Sequence, residues 1–226
     1  MNHVLHNPVF NALSSKDATF SNGRDKVKFF DEKVSPFAGF ADDYPDGFEE
    51  LKWLLPGGRK ILYASSAEIS IPAGWTLLAH IPGLQFVLDE LIKGEKIAVE
   101  PVALGKEHVD EMIALTALTK PGPFDKRTIE FGSYYGIFNR GKLVAMTGQR
   151  LHLDDYSEIS AVCTHPDHSG KGYAAALLQQ QAGIIIRDGK TAFLHVRADN
   201  QRAIQLYERT GFKISRPMNF YFLLNQ

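Results

Sequence analysis

The sequence predicts an α/β fold, and three observations carry that expectation. Beyond about residue 97, apolar runs of strand length alternate with segments of helical period. A short apolar run, Val162-Cys163-Thr164, passes through His165-Pro166-Asp167-His168 into Ser169-Gly170-Lys171-Gly172-Tyr173-Ala174, a glycine-spaced loop that opens into a helix. Asn139-Arg140-Gly141, between two further apolar runs, is a hairpin signal, less specific than a two-residue connection.

In the first half, Phe48 to Leu55 reads as a helix stopped by Pro56-Gly57-Gly58, and Lys60 to Ala64 as a strand. Trp75 to His80 and Leu84 to Leu88 are two apolar runs punctuated by Ile81-Pro82-Gly83. Ahead of them Phe10, Phe20, Phe29, Phe30, Phe37 and Phe40 are too many aromatics for a disordered tail, so this stretch is expected to pack. A divide near residues 93–100 separates a mixed α/β region, 1–96, from a second domain, 97–226. In the latter, Lys96 to Val102 reads as a strand and Glu107 to Thr119 as a helix ended by Pro121-Gly122-Pro123. Strands are expected at Tyr134 to Phe138, Lys142 to Leu151, Glu158 to Thr164, Thr191 to Val196 and Asn219 to Leu224. Helices are expected from Ala174 to Gly189 and from Gln201 to Thr210.

With 226 residues, 44% of them hydrophobic, the chain can bury one large core or two modest ones. A formal net charge of −1, with both signs spread along the chain, gives no electrostatic reason to expect nucleic acid or a membrane surface as partner. The single cysteine, Cys163, forms no internal disulfide, and no apolar run approaches the roughly 18 residues of a membrane span. A cytoplasmic protein is expected, with a homodimer left open.

The loop reads as a phosphate cradle. Two glycines one residue apart let the backbone approach a bulky anion, and free N–H groups at a helix start supply donors backed by the helix dipole. Downstream stand Asn200, Ala203, Leu206-Tyr207 and Gly211-Phe212. The two stretches together resemble the GNAT superfamily of acyl-CoA-dependent N-acyltransferases. Its cofactor loop is Arg/Gln-x-x-Gly-x-Gly/Ala, and its second element is Asn, Ala three residues on, Leu-Tyr and Gly-Phe. The likeness covers residues 97–226 and is greatest to the glycine N-acyltransferase-like branch. It implies a mixed central sheet flanked by helices, with the first half open to reading as a degenerate copy of the same half-fold. One departure stands out: Ser169 occupies the position usually held by Arg or Gln.

The resemblance implies acetyl-CoA as cofactor, held by Val162, Cys163, Thr164, Ser169, Gly170, Lys171, Gly172, Tyr173, Ala174, Asn200, Ala203 and Tyr207. It implies direct acetyl transfer to a primary amine of a small molecule or amino acid. Tyr207 matches the family tyrosine near the thioester sulfur; a phenol of pKa about 10 is protonated at neutral pH and can serve as general acid. The bland account is that Tyr207 only fills the core. Glu158, at the spacing of the glutamate base of the superfamily's histone acetyltransferases, is the candidate base if an apolar cleft raises its pKa; otherwise it is a solvated carboxylate at a strand start. An N–H of residues 162–164 is the expected oxyanion donor. Cys163 is a weaker candidate as nucleophile, because no motif places a histidine beside it. His165 and His168 fall on a turn without the spacing of a metal site, so no metal is expected. Phe124 and Arg127, after Pro121-Gly122-Pro123, are expected to wall the acceptor site, and Arg127 or Arg150 to hold a substrate carboxylate. A protein or peptide N-acetyltransferase and a non-catalytic acyl-CoA sensor are the alternatives.

Overall fold

The computed structural model describes residues 3–92, 94 and 99–226. The first half supplies α1 (Pro8–Leu13), β1 (Asn22–Gly23), β2 (Val27–Phe29), β3 (Phe37–Phe40), α2 (Gly47–Leu54), β4 (Lys60–Ser65) and β5 (Trp75–Leu88). The second supplies β6 (Val102–Ala103), α3 (Val109–Thr119), β7 (Tyr135–Asn139), β8 (Lys142–His152), β9 (Tyr156–Thr164), α4 (Tyr173–Arg187), β10 (Thr191–Arg197), α5 (Gln201–Arg209) and β11 (Phe212–Asn225). These strands join one sheet in the order β1-β2-β3-β4-β11-β5-β10-β9-β8-β7-β6. The β3/β4 and β9/β10 pairs are parallel and the other neighbours antiparallel, so the sheet is mixed.

The order does not respect a divide at residues 96 and 97. β5, from the first half, lies between β10 and β11 of the second, and its ladder with β11 runs from Leu88 to Trp75. The strand expected at Lys96 to Val102 has its first three residues outside the described ones; what is described is Val102–Ala103.

Most boundaries fall within a residue or two of expectation, and the misses have identifiable causes. Ile81-Pro82-Gly83 reads as a break, yet it lies inside β5. The Pro82 carbonyl accepts from the Ala198 N–H, so the donor that proline lacks would have pointed the same way, past Arg197 where the β10 ladder ends. Gly83 is required there because a Cβ would lie 2.7 Å from the Phe220 ring and 2.9 Å from the Val196 carbonyl. β11 likewise begins at Phe212 rather than Asn219, its pattern hidden by Pro217 and by a register shift between Ile214 and Arg216.

Period-2 alternation places a core on each face. In β10, Ala192, Leu194 and Val196 pack with Leu178, Ala182 and Ile185 of α4 and Ile204 of α5. Phe193 faces the other way, into a cluster with Val9 and Leu13 of α1 and Met112 and Leu115 of α3. Each of the Leu, Ile, Val, Phe and Met side chains among them contributes roughly 1.5–3 kcal/mol on burial, so both helical layers are held to the sheet.

Candidate active site

The site begins where two parallel strands part. β9 pairs with β10 only over Tyr156–Glu158 against Thr191–Phe193; beyond Phe193↔Glu158 no ladder joins them. A bulge in β9, where Ala161 adopts φ 53° and the register with β8 shifts between Met146 and Gly148, bends the strand at this point. The β10-facing edge of β9 toward Thr164 is therefore unpaired, ready to receive an extended chain of amides.

From Thr164 the chain passes through a short 3-10 turn, Pro166–His168, into the glycine loop. Gly170 and Gly172 take φ 80° and 77°, left-handed values that strain any other residue. Gly172 caps α4 with no side-chain hydrogen bond, and the N–H groups of residues 170–175 have no acceptor among the described residues. Unsatisfied donors converging at a helix start fit a diphosphate, so the loop suits the pyrophosphate of coenzyme A. At the facing helix, Asn200 caps α5, its Oδ1 accepting from the Ala203 N–H at 3.1 Å. The Asn-to-Ala spacing is thus a helix cap at the cavity wall.

Between these elements lies a cavity of about 1080 Å³. Val162, Cys163, Thr164, Ser169, Gly170, Gly172, Tyr173, Ala174, Asn200, Ala203, Tyr207, Phe124 and Arg150 line it. Lys171, Arg127 and Glu158 do not. Lys171 turns its Nζ to His168 Nδ1 at 3.2 Å, leaving only its main chain for the cradle.

Tyr207 packs edge-on against Phe86 and Phe212, with ring centroids 5.8 and 6.3 Å away, and its hydroxyl has no hydrogen-bond partner among the described residues. Burial first, and the neighbouring Cys163 second, push its pKa up to about 12. It is a phenol that holds its proton. Burial also pushes the Cys163 thiol up to about 11, against the opposing hydrogen bonds from Thr119 and Met146, so the group is no ready thiolate.

Glu158 is neither the raised-pKa base nor the solvated carboxylate expected of it. It lies inside β9, fully buried. The register shift between Gln149 and His152 sets Arg150 beside it, and Nε and Nη2 of the guanidinium donate to its two oxygens at 2.8 and 2.6 Å. His195 Nδ1 adds a third contact at 2.8 Å. Burial alone would raise the carboxyl, but the Arg150 charge and the hydrogen bonds from Arg150 and His195 outweigh it and hold the pKa far below the usual carboxylate range. A carboxylate so held takes no proton from an ammonium near neutral pH.

Both arginine expectations need correction too. Arg150 does face the cavity, stacked over Phe37 with 4.7 Å to the ring centroid, but Glu158 already matches its charge. Arg127 is exposed and does not line the cavity, with its Nε 2.7 Å from Glu130 and its Nη1 3.2 Å from Asp31.

Sequence reasoning missed the cluster around Glu158 and the far wall of the cavity. Gln85 Nε2 donates to the Leu5 carbonyl at 2.9 Å and lies 3.1 Å from His195 Nε2. His195 thus bridges Gln85 and Glu158 through its two ring nitrogens. Phe37, Leu62, Ile81, Phe220 and Phe222 line the far wall, and Arg202 and Arg209 of α5 line the cofactor side. The two arginines, seven residues apart and so on one face of α5, were findable from spacing; the wall was not.

Comparison with known proteins agrees with this geometry. The family described as FR47-like protein matches residues 134–221. A structure from Novosphingobium aromaticivorans, assigned to the GNAT family of acetyltransferases, is 33% identical over 100% of both chains, with a TM-score of 0.91. A GCN5-related N-acetyltransferase from Kribbella flavida shares the fold at 17% identity, covering 94% of this chain and 91% of its own, with a TM-score of 0.62. An acetyltransferase of the GNAT family from Colwellia psychrerythraea does so at 16% identity, covering 87% and 80%, with a TM-score of 0.53. No curated protein matches the chain. The parted strands, the glycine cradle and full-length similarity at 33% identity place this chain in the GNAT family of acetyltransferases.

Proposed function

We propose that the protein transfers an acetyl group from acetyl-CoA directly to a primary amine of a small molecule. The observation that carries this reading is the cleft opened by β9 and β10 beyond Glu158, with the unsatisfied N–H groups of residues 170–175 at one end and Tyr207 among the residues that line it. In this reading Gly170, Gly172, Tyr173 and Ala174 hold the diphosphate through their main chain. The open edge at Val162–Thr164 pairs with the pantetheine amides, and one of its N–H groups donates to the developing oxyanion. Acetyl-CoA supplies the activated acyl carbon. The amine nitrogen forms the C–N bond as the C–S bond breaks, and the proton shed by nitrogen ends on the departing sulfur. Tyr207 donates a hydrogen bond to that sulfur; with its pKa pushed up to about 12 it remains protonated throughout the working range.

With Glu158 held ionised and Cys163 held as a thiol, the reading has neither a carboxylate base nor an acyl-enzyme. Membership of the glycine N-acyltransferase-like branch is part of the proposal, supported by a first half built into the same sheet. Release of free thiol from acetyl-CoA in the presence of amines tests it. Tyr207→Phe should leave coenzyme A affinity unchanged and lower kcat by roughly 100-fold. Loss of binding in step with rate would return Tyr207 to a packing role.

A further inference from the structure

The cavity has a second wing beyond the thioester edge, and its chemistry is unlike that of the cradle. Phe37 of β3 is the register partner of Leu62 of β4, which is in turn the partner of Phe222 of β11. Side chains directly opposite in a ladder share a face, so these three stand in a row across three strands. Two residues along β11, Phe220 stands on the same face and pairs with Ile81 of β5. All five line the cavity, and Phe124 adds a further aromatic wall.

The arginine of this wing is already matched by a carboxylate. Arg150 is neutralised by Glu158 beneath it, and His195, with its ring 5.3 Å from that of Phe220, has its Nδ1 2.8 Å from the same carboxylate and its Nε2 3.1 Å from Gln85. Among the described residues no Asp or Glu lines the cavity. A polyamine or aminoglycoside would therefore find no anion here, and would meet Lys120 exposed at the rim and the arginines of the cofactor side. An amino-acid carboxylate would be a second anion on a cation already matched, in surroundings of low dielectric.

On the transferase reading above, we infer that the acceptor is a primary amine carried on an uncharged aromatic or apolar body, and that it enters this wing as the free base. Desolvation against Phe37, Phe220 and Phe222 disfavours an ammonium, so the proton is left in solvent before the nitrogen reaches the acyl carbon. Nη1 of Arg150, which has no partner among the described residues, is available to a neutral oxygen on that body. A long acyl chain has no such oxygen, which favours the acceptor over the acyl tail as the occupant.

The test is acetyl transfer measured with phenethylamine, spermidine, glycine and a lysine-containing peptide, in the wild type and in Phe222→Ala, with Phe222→Leu as a milder replacement. Phenethylamine should exceed the others at least roughly tenfold in kcat/KM. Phe222→Ala should raise its KM by roughly tenfold while leaving the KM for acetyl-CoA unchanged, with Phe222→Leu in between. Transfer to glycine, spermidine or peptide in preference to phenethylamine overturns the acceptor class and leaves the transferase standing. So does a preference for octanoyl-CoA over acetyl-CoA that Phe222→Ala removes, since the wing would then hold the acyl chain. Coenzyme A binding without transfer to any amine overturns the transferase reading instead. Calorimetric titration of phenethylamine into the coenzyme A-loaded protein then decides the wing alone: binding weakened by Phe222→Ala supports it, and absence of binding overturns it.

Discussion

The two sides of the cleft offer opposite kinds of contact. On the cofactor side, from β9 through the glycine loop to α4, the contacts on offer are main-chain amides, and residue identity matters where the backbone must turn left-handed or a helix must be capped. On the wing formed by β3, β4, β11 and β5, the contacts are side chains, five of them apolar or aromatic, carried on paired strands. A backbone site is built from one contiguous stretch and leaves a motif; a side-chain wall is built from four distant strands and leaves none. The lesson is that the main-chain contacts of such a cleft are read locally, while its side-chain wall is a property of the assembled sheet.

Glu158 lies where the two sides meet, and breaking it should have the largest effect. Glu158→Gln leaves Arg150 charged, buried and unpaired, at a cost of about 3–5 kcal/mol in unfolding free energy. Because the folded pKa is depressed, the pair's contribution is fully present above the unfolded value of about 4.3 and is lost as pH falls below it. Wild-type stability should thus fall more steeply than that of Glu158→Gln below about pH 4. Chemical denaturation across that range checks both points, and equal slopes would mean that Glu158 is not ion-paired. A kcat profile governed by an ionisation of Glu158 between pH 5 and 8 would restore it as a base.

A smaller loss, confined to one side, is expected from Gly172→Glu. The left-handed backbone at φ 77° is unfavourable for any side chain, and the new carboxylate opposes the diphosphate. Coenzyme A affinity should drop by roughly 100-fold or more by calorimetry, with phenethylamine binding to the other wing little altered. Equal loss on both sides would show that the wing forms only when the cradle is filled. Smallest of all should be Arg127→Ala. Its partners Glu130 and Asp31 are surface groups, so stability should change by less than about 0.5 kcal/mol and the KM for any acceptor by less than about twofold. A large rise in KM would mean that the loop bearing Arg127 folds over the acceptor during turnover.

The order of helices and strands after residue 97 and the glycine turn that opens α4 were legible because each rests on local physics: hydrophobic period, positive φ and helix ends. Arg150 and Glu158 were singled out individually, but their union was not, since it depends on a register shift between β8 and β9. Proline misled at Pro82, where the missing donor falls past the end of a neighbouring strand that only the ladder reveals.

The sequence by itself determined where the backbone must bend and where helices must start, because turns and caps are governed by residues a few positions apart. Only the tertiary structure decided that β5 enters between β10 and β11, that Glu158 is a counter-ion rather than a base, and that Phe37, Leu62 and Phe222 form one wall. Those outcomes depend on strand register and burial, which set distance and dielectric between residues far apart in the chain.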